Sequence, residues 1–283
     1  MKKITFILTF IATVIIAVSC DKIEGPYLQY DESVETTVEF PELDKNTLYK
    51  KVLVEEFTGH RCSNCPEGHR LLASLAGNMG DTLVCVCIHA GTLARRTSAF
   101  PYDFTTTEGT ELYEGFSVVA TPRAVFNQSQ FNGGYAVSMS NWAQAVEHFK
   151  QGTPIAAIQM INEFSGGTLT AHTKTTFLTD YDEPVKLALY VLEDGIVSPQ
   201  IDGIDTTANY VHNHVMRGSL NGTYGTFISD NGTVMSDSSY TKSYQLVCAG
   251  KDWVPAHCSV VAILTNATTK EVLQVEKCPF LHE

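Results

Sequence analysis

The fold of this chain is decided by residues 54–66, which read VEEFTGHRCSNCP. The apolar residues 52–54, with Phe57, predict a buried strand, and two cysteines separated by two residues follow it. Leucines and small residues recur at helical spacing over residues 66–79, with glycines at the end, so a helix is predicted to begin at the second cysteine. The sequence therefore places two thiols between a strand and the start of a helix.

This Cys62-x-x-Cys65 motif suits thiol–disulfide chemistry. The start of a helix presents free N–H groups and a partial positive charge, which stabilise a thiolate and lower its pKa. Cys62 would attack a substrate disulfide, and Cys65 would resolve the mixed disulfide. A static structural disulfide is one alternative. A zinc site with His69 or His60 is another, although a structural zinc site needs four ligands and no second Cys-x-x-Cys supplies them.

Strands and helices alternate after the cysteines. Residues 83–88 form a continuous apolar run, typical of a central parallel strand covered on both faces. The pattern then predicts a polar loop over 91–110, a short helix over 108–116, a strand over 123–127 and a helix over 140–150. This alternation predicts an α/β domain with a sheet at its centre.

Residues 50–150 resemble the thioredoxin superfamily. In that family a buried acid lies six residues before the first cysteine, and Glu56 stands at that spacing here. A cis-proline faces the active sulfurs in the family, and Pro122 matches it. The resemblance implies a thioredoxin-like fold in which Glu56 takes a proton from Cys65 and Pro122 shapes the substrate groove.

Two details qualify this resemblance. Glu55 and Glu56 have opposite strand parity, so only one of them should face inward, and the six-residue spacing favours Glu56. Arg61 and Pro66 replace the tryptophan and the basic residue that the family usually carries beside its cysteines. The resemblance therefore implies the fold but neither the redox potential nor the substrate.

After residue 152 the helical pattern ends. Residues 155–164 and 168–178 flank Ser165-Gly166-Gly167, which is a hairpin signal. Residues 185–191 alternate, which predicts a strand with one buried face and one wet face. Further strands are predicted at 244–248, 258–264 and 272–276. The second half is therefore expected to be an all-β, Ig-like sandwich over 153–283, following a thioredoxin-like α/β domain over 50–152.

The N-terminus reads as an export signal. Lys2 and Lys3 precede an apolar run whose ~22 Å helical length is short of a ~30 Å membrane core. Small residues before Cys20 resemble the lipobox of bacterial lipoproteins, which implies a signal peptide over 1–19 and an acylated Cys20. An ordinary secretory signal or a membrane anchor is the alternative. Residues 20–49 carry eight acids and two lysines and predict a lipid anchor with an extended acidic tether.

Composition narrows the possible functions. The net charge of −12 makes nucleic acid an improbable partner, and no cofactor or metal is expected. Export would allow disulfides, and with Cys20 acylated seven of the eight cysteines remain. Cys85 and Cys87 point the same way on a strand and are expected to be buried thiols. Cys248 could pair with Cys258, with Cys278 as a competitor for either.

A closer resemblance covers nearly the whole chain. The lipobox, acidic tether, Gly-x-x-Cys-x-x-Cys-Pro motif and a β-rich tail containing residues 210–217, YVHNHVMR, are similar to the outer-membrane-protein-28-related lipoproteins. His212 and His214 of this tail lie at strand spacing and are expected to be polar strand or loop residues near Arg217. The resemblance implies an outer-membrane location with membrane lipid as partner, and an adhesin-like role.

Two functional hypotheses follow. The first is an envelope-anchored thiol–disulfide oxidoreductase that uses Cys62, Cys65, Glu56 and Pro122 and requires a redox partner. The second is a non-enzymatic surface protein with a structural Cys62–Cys65 disulfide, in which the β-domain binds a ligand protein. Fold alone does not decide between them.

Overall fold

The computed structural model describes residues 38–229 and 232–281. The predicted signal peptide, Cys20 and residues 21–37 of the predicted tether lie outside the described residues. The described part of the tether contacts the body of the protein: Gln159 Nε2 donates to the Pro41 carbonyl at 2.7 Å, and Lys45 pairs with Asp237. Among the described residues, no helix is long and apolar enough to cross a membrane.

Helices occur in the first half and strands dominate the second. Within the described residues the α-helices are α1 (Cys65–Met79), α2 (Thr107–Gly115) and α3 (Trp142–Phe149). The strands are β1 (Val52–Thr58), β2 (Leu83–His89), β3 (Arg123–Phe126), β4 (Ala156–Ser165), β5 (Thr168–Phe177), β6 (Val185–Glu193), β7 (Ile196–Asp202), β8 (Asp205–His212), β9 (Val215–Ser219), β10 (Thr226–Ser229), β11 (Ser239–Val247), β12 (Cys258–Asn266) and β13 (Val272–Pro279). The mixed α/β first part and the β-rich second part agree with the sequence analysis.

Local signals explain the elements of the first half. The apolar runs of β1 and β2 pair in parallel, with α1 between them in the chain, and β3 joins the other edge of β1 in antiparallel orientation. Pro66 occupies the first turn of α1, where its missing N–H leaves no helical bond unmade. The Thr106 side chain caps α2 by accepting from the Gly109 N–H.

One sheet runs through both halves of the chain. Its order is β13-β12-β6-β9-β2-β1-β3, with β10 paired to β6. The two halves meet where β2 and β9 run parallel, with Cys87 opposite Val215. A three-stranded sheet, β11-β5-β4, and the separate β7–β8 hairpin complete the strands. The two predicted domains therefore share a central sheet.

Both faces of this sheet are covered. On one face, Leu112 of α2 packs in a core cluster with residues of β1, β2, β6, β12 and β13. On the opposite face, α1 and α3 cover β1–β3, and the three-stranded sheet covers β6 and β12. The core is thus continuous across the boundary predicted near residue 152.

The prediction of a wet face on the strand over 185–191 was wrong. Ala188, Tyr190 and Leu192 of β6 point away from the three-stranded sheet but are at most 2 % exposed. They pack in the same cluster as Leu112 of α2. Alternation along this strand separates two buried layers, because β6 lies in the middle of the shared sheet.

Candidate functional site

Cys62 and Cys65 form a disulfide at the start of α1. The S–S distance is 2.19 Å and the Cα atoms lie 5.4 Å apart. The Cys62 N–H donates to the Gly59 carbonyl at 2.9 Å, so a tight turn connects β1 to the motif. The two sulfurs that the zinc alternative requires are bonded to each other. Among the described residues, no group of three or more His, Cys, Asp or Glu could hold a metal ion.

The loop over 91–95 holds one side of this turn. The Arg61 N–H donates to the Leu93 carbonyl at 3.1 Å. A Cβ atom at Gly59 would lie 2.6 Å from the Leu93 carbonyl carbon, closer than real side chains come to backbone. Glycine is therefore required at position 59 for the two loops to approach.

The β7–β8 hairpin covers the other side. The hairpin donates two backbone N–H groups to the turn, from Ile201 of β7 to the His60 carbonyl and from Gly203, which directly follows β7, to the Ser63 carbonyl, both at 2.9 Å. Gln200 Nε2 donates to the Cys62 carbonyl at 3.0 Å. Cys62 is only 2 % exposed and Cys65 is fully buried. Sequence analysis did not predict this cover, because β8 is largely polar and exposed and lacks a strand's apolar alternation.

Two side-chain contacts hold the hairpin to α1. Arg70 donates to Asp202 at 2.9 Å. Tyr210 Oη and His69 Nδ1 are hydrogen-bonded at 2.7 Å, and His69 Nε2 lies 3.0 Å from Thr58 Oγ1. Both ring nitrogens of His69 are thus engaged. His69 therefore has no unengaged ring nitrogen for the zinc alternative.

Glu56 is buried beneath α1, as its spacing from the cysteines predicts. Its Oε2 accepts from the Cys87 thiol at 3.4 Å, and its Oε1 lies 3.6 Å from His69 Nε2. Burial raises the pKa of Glu56 to about 8, so the carboxyl is protonated at neutral pH. An acid held in this form can exchange a proton near pH 7.

The expectation that only one of the paired glutamates faces inward was wrong. Glu55 points to the opposite face of β1 and is also fully buried. Gln128 Nε2 donates to its Oε1 at 3.0 Å, and burial raises its pKa to about 8. Both parities of β1 are internal, because helices cover both faces of the shared sheet.

A cavity of about 210 Å³ borders Glu56. Its walls come from β1, α1, β2 and the hairpin: Glu56, His69, Arg70, Leu72, Ala73, Cys85, Cys87, Tyr210, Val211, Asn213 and His214. Cys85 and Cys87 are buried and unpaired among the described residues, as predicted. Burial raises the pKa of Cys85 to about 12, so it is a thiol rather than a reactive thiolate.

Pro122 follows a cis peptide bond to Thr121 and is buried at the start of β3. The adjacent Arg123 pairs in register with Phe57 near the end of β1. The proline therefore lies at the same end of the sheet as the turn that carries the two cysteines.

A buried cluster of histidines and phenylalanines lies beside the turn, and the sequence analysis did not identify it. The His89 ring stacks on Phe104 with centroids 4.4 Å apart, and His212 approaches the same ring at 4.5 Å. His60 stacks on Phe100 at 5.3 Å. Burial lowers the pKa of His212 to about 4 and that of His89 well below its usual range. These rings are neutral packing elements at neutral pH.

His212 and His214 do not share a face. His212 ends β8 inside this cluster, whereas His214 has φ 57° and leaves the strand. His214 Nδ1 lies 3.0 Å from Asp194 Oδ1. The left-handed residue turns the chain between the two histidines, so strand spacing does not apply to them.

The Cys248–Cys258 disulfide that the sequence leaves open is not formed, and neither is a bond from Cys278 to either. Cys248, Cys258 and Cys278 are all buried and carry free thiols within the described part of the chain. The Cys248 thiol faces the Leu246 carbonyl at 3.6 Å, and the Cys278 thiol faces the Pro279 carbonyl at the same distance. These cysteines act as small core residues.

Comparison with known proteins places this chain in a family. The family model described as outer membrane protein Omp28 matches residues 110–280. No curated protein matches the chain. Among solved structures, HBP35 of Porphyromonas gingivalis aligns with a TM-score of 0.64 at 15% identity, covering 82% of this chain and 76% of that one. A domain of the outer membrane lipoprotein Omp28 from Porphyromonas gingivalis aligns with a TM-score of 0.31 at 21% identity, covering 44% of this chain and 86% of that one. The family model spans more than half of the chain, so this protein belongs to the Omp28 family of outer membrane proteins.

Proposed function

We propose that this protein is a lipid-anchored thiol–disulfide exchange protein of the outer membrane. The observation that carries the proposal is the Cys62–Cys65 disulfide at the start of α1, with the protonated acid Glu56 buried beneath the same helix. Acylation of Cys20 would supply the membrane anchor. The electrons are carried by sulfur, so the reaction needs no cofactor.

The architecture is compatible with a thioredoxin-like first half. Parallel β1 and β2, the intervening α1, and antiparallel β3 after Pro122 are the arrangement expected of that fold. The likeness to HBP35 supports a common fold and nothing further. In the second half, the three-stranded sheet facing β6 and β12 supports an Ig-like sandwich as the proposed architecture.

The proposed reaction begins with the reduced pair. The Cys62 thiolate attacks a substrate disulfide, which forms a mixed disulfide and expels one substrate thiolate. Cys65 loses its proton to Glu56 in the carboxylate form and attacks the Cys62 sulfur, which forms the Cys62–Cys65 disulfide and expels the second substrate thiolate. Two electrons pass to the substrate. A partner dithiol must then reduce the pair, and the reverse sequence oxidises a substrate dithiol.

The roles of the flanking residues follow from their positions. The α1 N-terminus stabilises the thiolate of Cys62 through its free N–H groups. Glu56 has a pKa of about 8, so it can lose and regain a proton near neutral pH. Pro122 lies at the same end of the sheet and would shape the groove in which the substrate is held.

The reduction potential of the Cys62–Cys65 pair tests this proposal. The full chain in detergent is equilibrated with graded glutathione or dithiothreitol buffers, with Cys62→Ser as the control. We expect a Cys62-dependent transition between roughly −120 and −270 mV, the range of exchange proteins. A potential below about −300 mV would identify a structural disulfide and refute the proposal.

The burial of Cys62 favours a second candidate function. A sulfur that is 2 % exposed is not available to a protein substrate in this conformation. In this second reading the disulfide braces a scaffold and the β-rich half binds a ligand protein at the cell surface. Binding of that ligand would then be unchanged by Cys62→Ser, and the reduction potential would lie below the exchange range.

A further inference from the structure

Strand β7, which covers Cys62, contacts the turn between β1 and α1 in the way that a bound extended peptide would. Ile201 of β7 and Gly203, which directly follows the strand, are two residues apart and donate their N–H groups to the His60 and Ser63 carbonyls. Gln200 lies between the turn and the rest of the hairpin and is fully buried, with its Nε2 3.0 Å from the Cys62 carbonyl. The carbonyls over residues 60–63 therefore form a strip that accepts hydrogen bonds from an extended polypeptide segment.

The hairpin is built as a separate unit. Strands β7 and β8 pair with each other in a two-stranded sheet, apart from the shared sheet. Residues 203–209, which include the turn and most of β8, are exposed. Because the main ladders do not include β7, the hairpin can lift without breaking the central sheet.

Both ends of the hairpin carry residues in the left-handed region of the backbone map. Gly195 precedes β7 with φ 77°, and His214 follows β8 with φ 57°. The Asn213 side chain accepts from the Gly195 N–H at 2.9 Å and holds the two ends together. Movement of the hairpin as one body would be concentrated at these positions.

Besides the hydrogen bonds to the turn and the packing of His212 in the buried aromatic cluster, two side-chain contacts hold the hairpin to α1. Asp202 binds Arg70 near the tip, and Tyr210 binds His69 nearer the base. Both partners belong to α1, the helix that begins at Cys65. The cover is thus attached to the same helix that positions the sulfurs.

We propose that β7 is an intramolecular occupant of the substrate-binding strip beside Cys62, and that an extended polypeptide segment must displace it before Cys62 can react. This inference rests on the proposed exchange function. It also explains how a buried disulfide can belong to an exchange protein: the resting molecule is self-inhibited, and only a substrate that competes for the strip gains access.

The rate of reduction of Cys62–Cys65 in the full chain tests the cover. Dithiothreitol is added to the protein in detergent, iodoacetamide stops the reaction, and trypsin releases residues 62–70, which contain these two cysteines and no others. Gln200→Ala removes a hydrogen bond to the strip and is expected to raise the rate about tenfold, the factor that corresponds to about 1.4 kcal/mol. Thr206→Ala, on the exposed strand, is the matched control and should leave the rate unchanged.

A second variant guards against general loosening of the fold, because Gln200 is buried. Asp202→Asn combined with Tyr210→Phe weakens the two contacts between the hairpin and α1, to Arg70 and His69. This double variant should also accelerate reduction, by about tenfold. Amide hydrogen exchange provides a direct readout. In the oxidised wild type the N–H groups of Ile201 and Gly203 should be protected, and both variants should lose that protection while the amides of β6 keep theirs.

The outcomes separate the cover from the exchange function. Unchanged reduction rates in both variants, or unprotected amides at Ile201 and Gly203 in the wild type, would overturn the cover. Oxidation of the pre-reduced Cys62–Cys65 pair by oxidised glutathione is measured in parallel, on protein from which the dithiothreitol has been removed, with Cys62→Ser as control. If the hairpin variants are reduced faster by dithiothreitol than the wild type, but neither they nor the wild type exchanges with glutathione, the cover stands and the proposed function falls. If glutathione exchange requires Cys62 but the hairpin variants are reduced and exchange at the wild-type rates, the function stands and the cover falls.

Discussion

Replacing Glu55 with glutamine should remove a loss of folding stability that the wild type shows as the pH rises. The Glu55 carboxyl is fully buried, one of its oxygens accepts from Gln128, and the other has no hydrogen-bond partner among the described residues. Burial raises its pKa from an ordinary 4.5 to about 8. The folded state therefore holds a proton that the unfolded chain releases, and stability falls as the pH rises from the unfolded pKa towards the folded one.

The magnitude follows from this shift. Each pKa unit corresponds to about 1.4 kcal/mol, so between pH 5 and pH 7.5 ionisation of the unfolded chain at this one residue lowers the unfolding free energy by about 3 kcal/mol. Glutamine has the same shape and stays neutral in both states. The unfolding free energy of Glu55→Gln, relative to wild type, should thus rise by about 3 kcal/mol over this range.

Urea unfolding followed by circular dichroism at the two pH values measures this difference. Glu67→Gln, which replaces an exposed glutamate of α1, is the control, and its free-energy difference from wild type should be the same at both pH values. If the difference between Glu55→Gln and wild type does not change from pH 5 to pH 7.5, Glu55 is not protonated in the folded state and the reasoning is wrong.

Three further predictions concern other parts of the molecule. Within α1, Gly77→Ala should stabilise the protein by about 1 kcal/mol, because no atom lies within 4 Å of the new Cβ. Gly68→Ala should instead destabilise it by about 1–3 kcal/mol, because the new Cβ would lie 2.8 Å from a carboxyl oxygen of the buried Glu56 and 2.9 Å from the Trp142 ring. Thermal unfolding of the two variants measures both effects. Arg217→Ala should cost about 3 kcal/mol in urea unfolding, because it leaves the 3 % exposed Glu193 carboxylate without its cation at 3.4 Å; a loss below 1 kcal/mol would contradict this. Burial lowers the pKa of His212 to about 4, so as the pH falls below 6.5 the unfolded chain binds a proton at this residue while the folded protein does not. The wild type therefore loses stability between pH 7 and pH 5. Relative to wild type, the unfolding free energy of His212→Gln should rise by about 2 kcal/mol over this range.

The sequence predicted the elements whose signals are local. The strand before the cysteines, the helix after them and the apolar strand β2 were expected within one or two residues, because apolar periodicity and glycine stops mark them directly. Glu56 was identified by the family resemblance, which gives meaning to its six-residue spacing from Cys62, and it lies beneath α1 with a pKa raised by burial to about 8. Local patterning was sufficient wherever a residue's environment is set by its own strand or helix.

What could not be predicted depends on contacts between distant segments. Glu55 is buried because α2 covers a face that the sequence of β1 does not mark as internal. The cover over Cys62 comes from Gln200 of β7, and the partner strand β8 is too polar and exposed for periodicity to indicate a hairpin here. His89 and His212 meet at one phenylalanine ring from opposite halves of the chain. A single sequence contains no signal for such pairings.

The shared sheet has a consequence for the order in which the chain can assemble. An exported chain emerges from its N-terminus, so β1 and β2 are present long before their neighbour β9, and the layer beneath α2 is completed only by residues of β12 and β13. The half of the chain that carries the two cysteines thus remains an unfinished sheet with an unpaired edge until nearly the last strand has emerged. Contacts so distant in sequence form slowly. Nascent chains stalled or truncated near residue 152 should therefore need a chaperone to stay soluble, although all the residues around the two cysteines are already present.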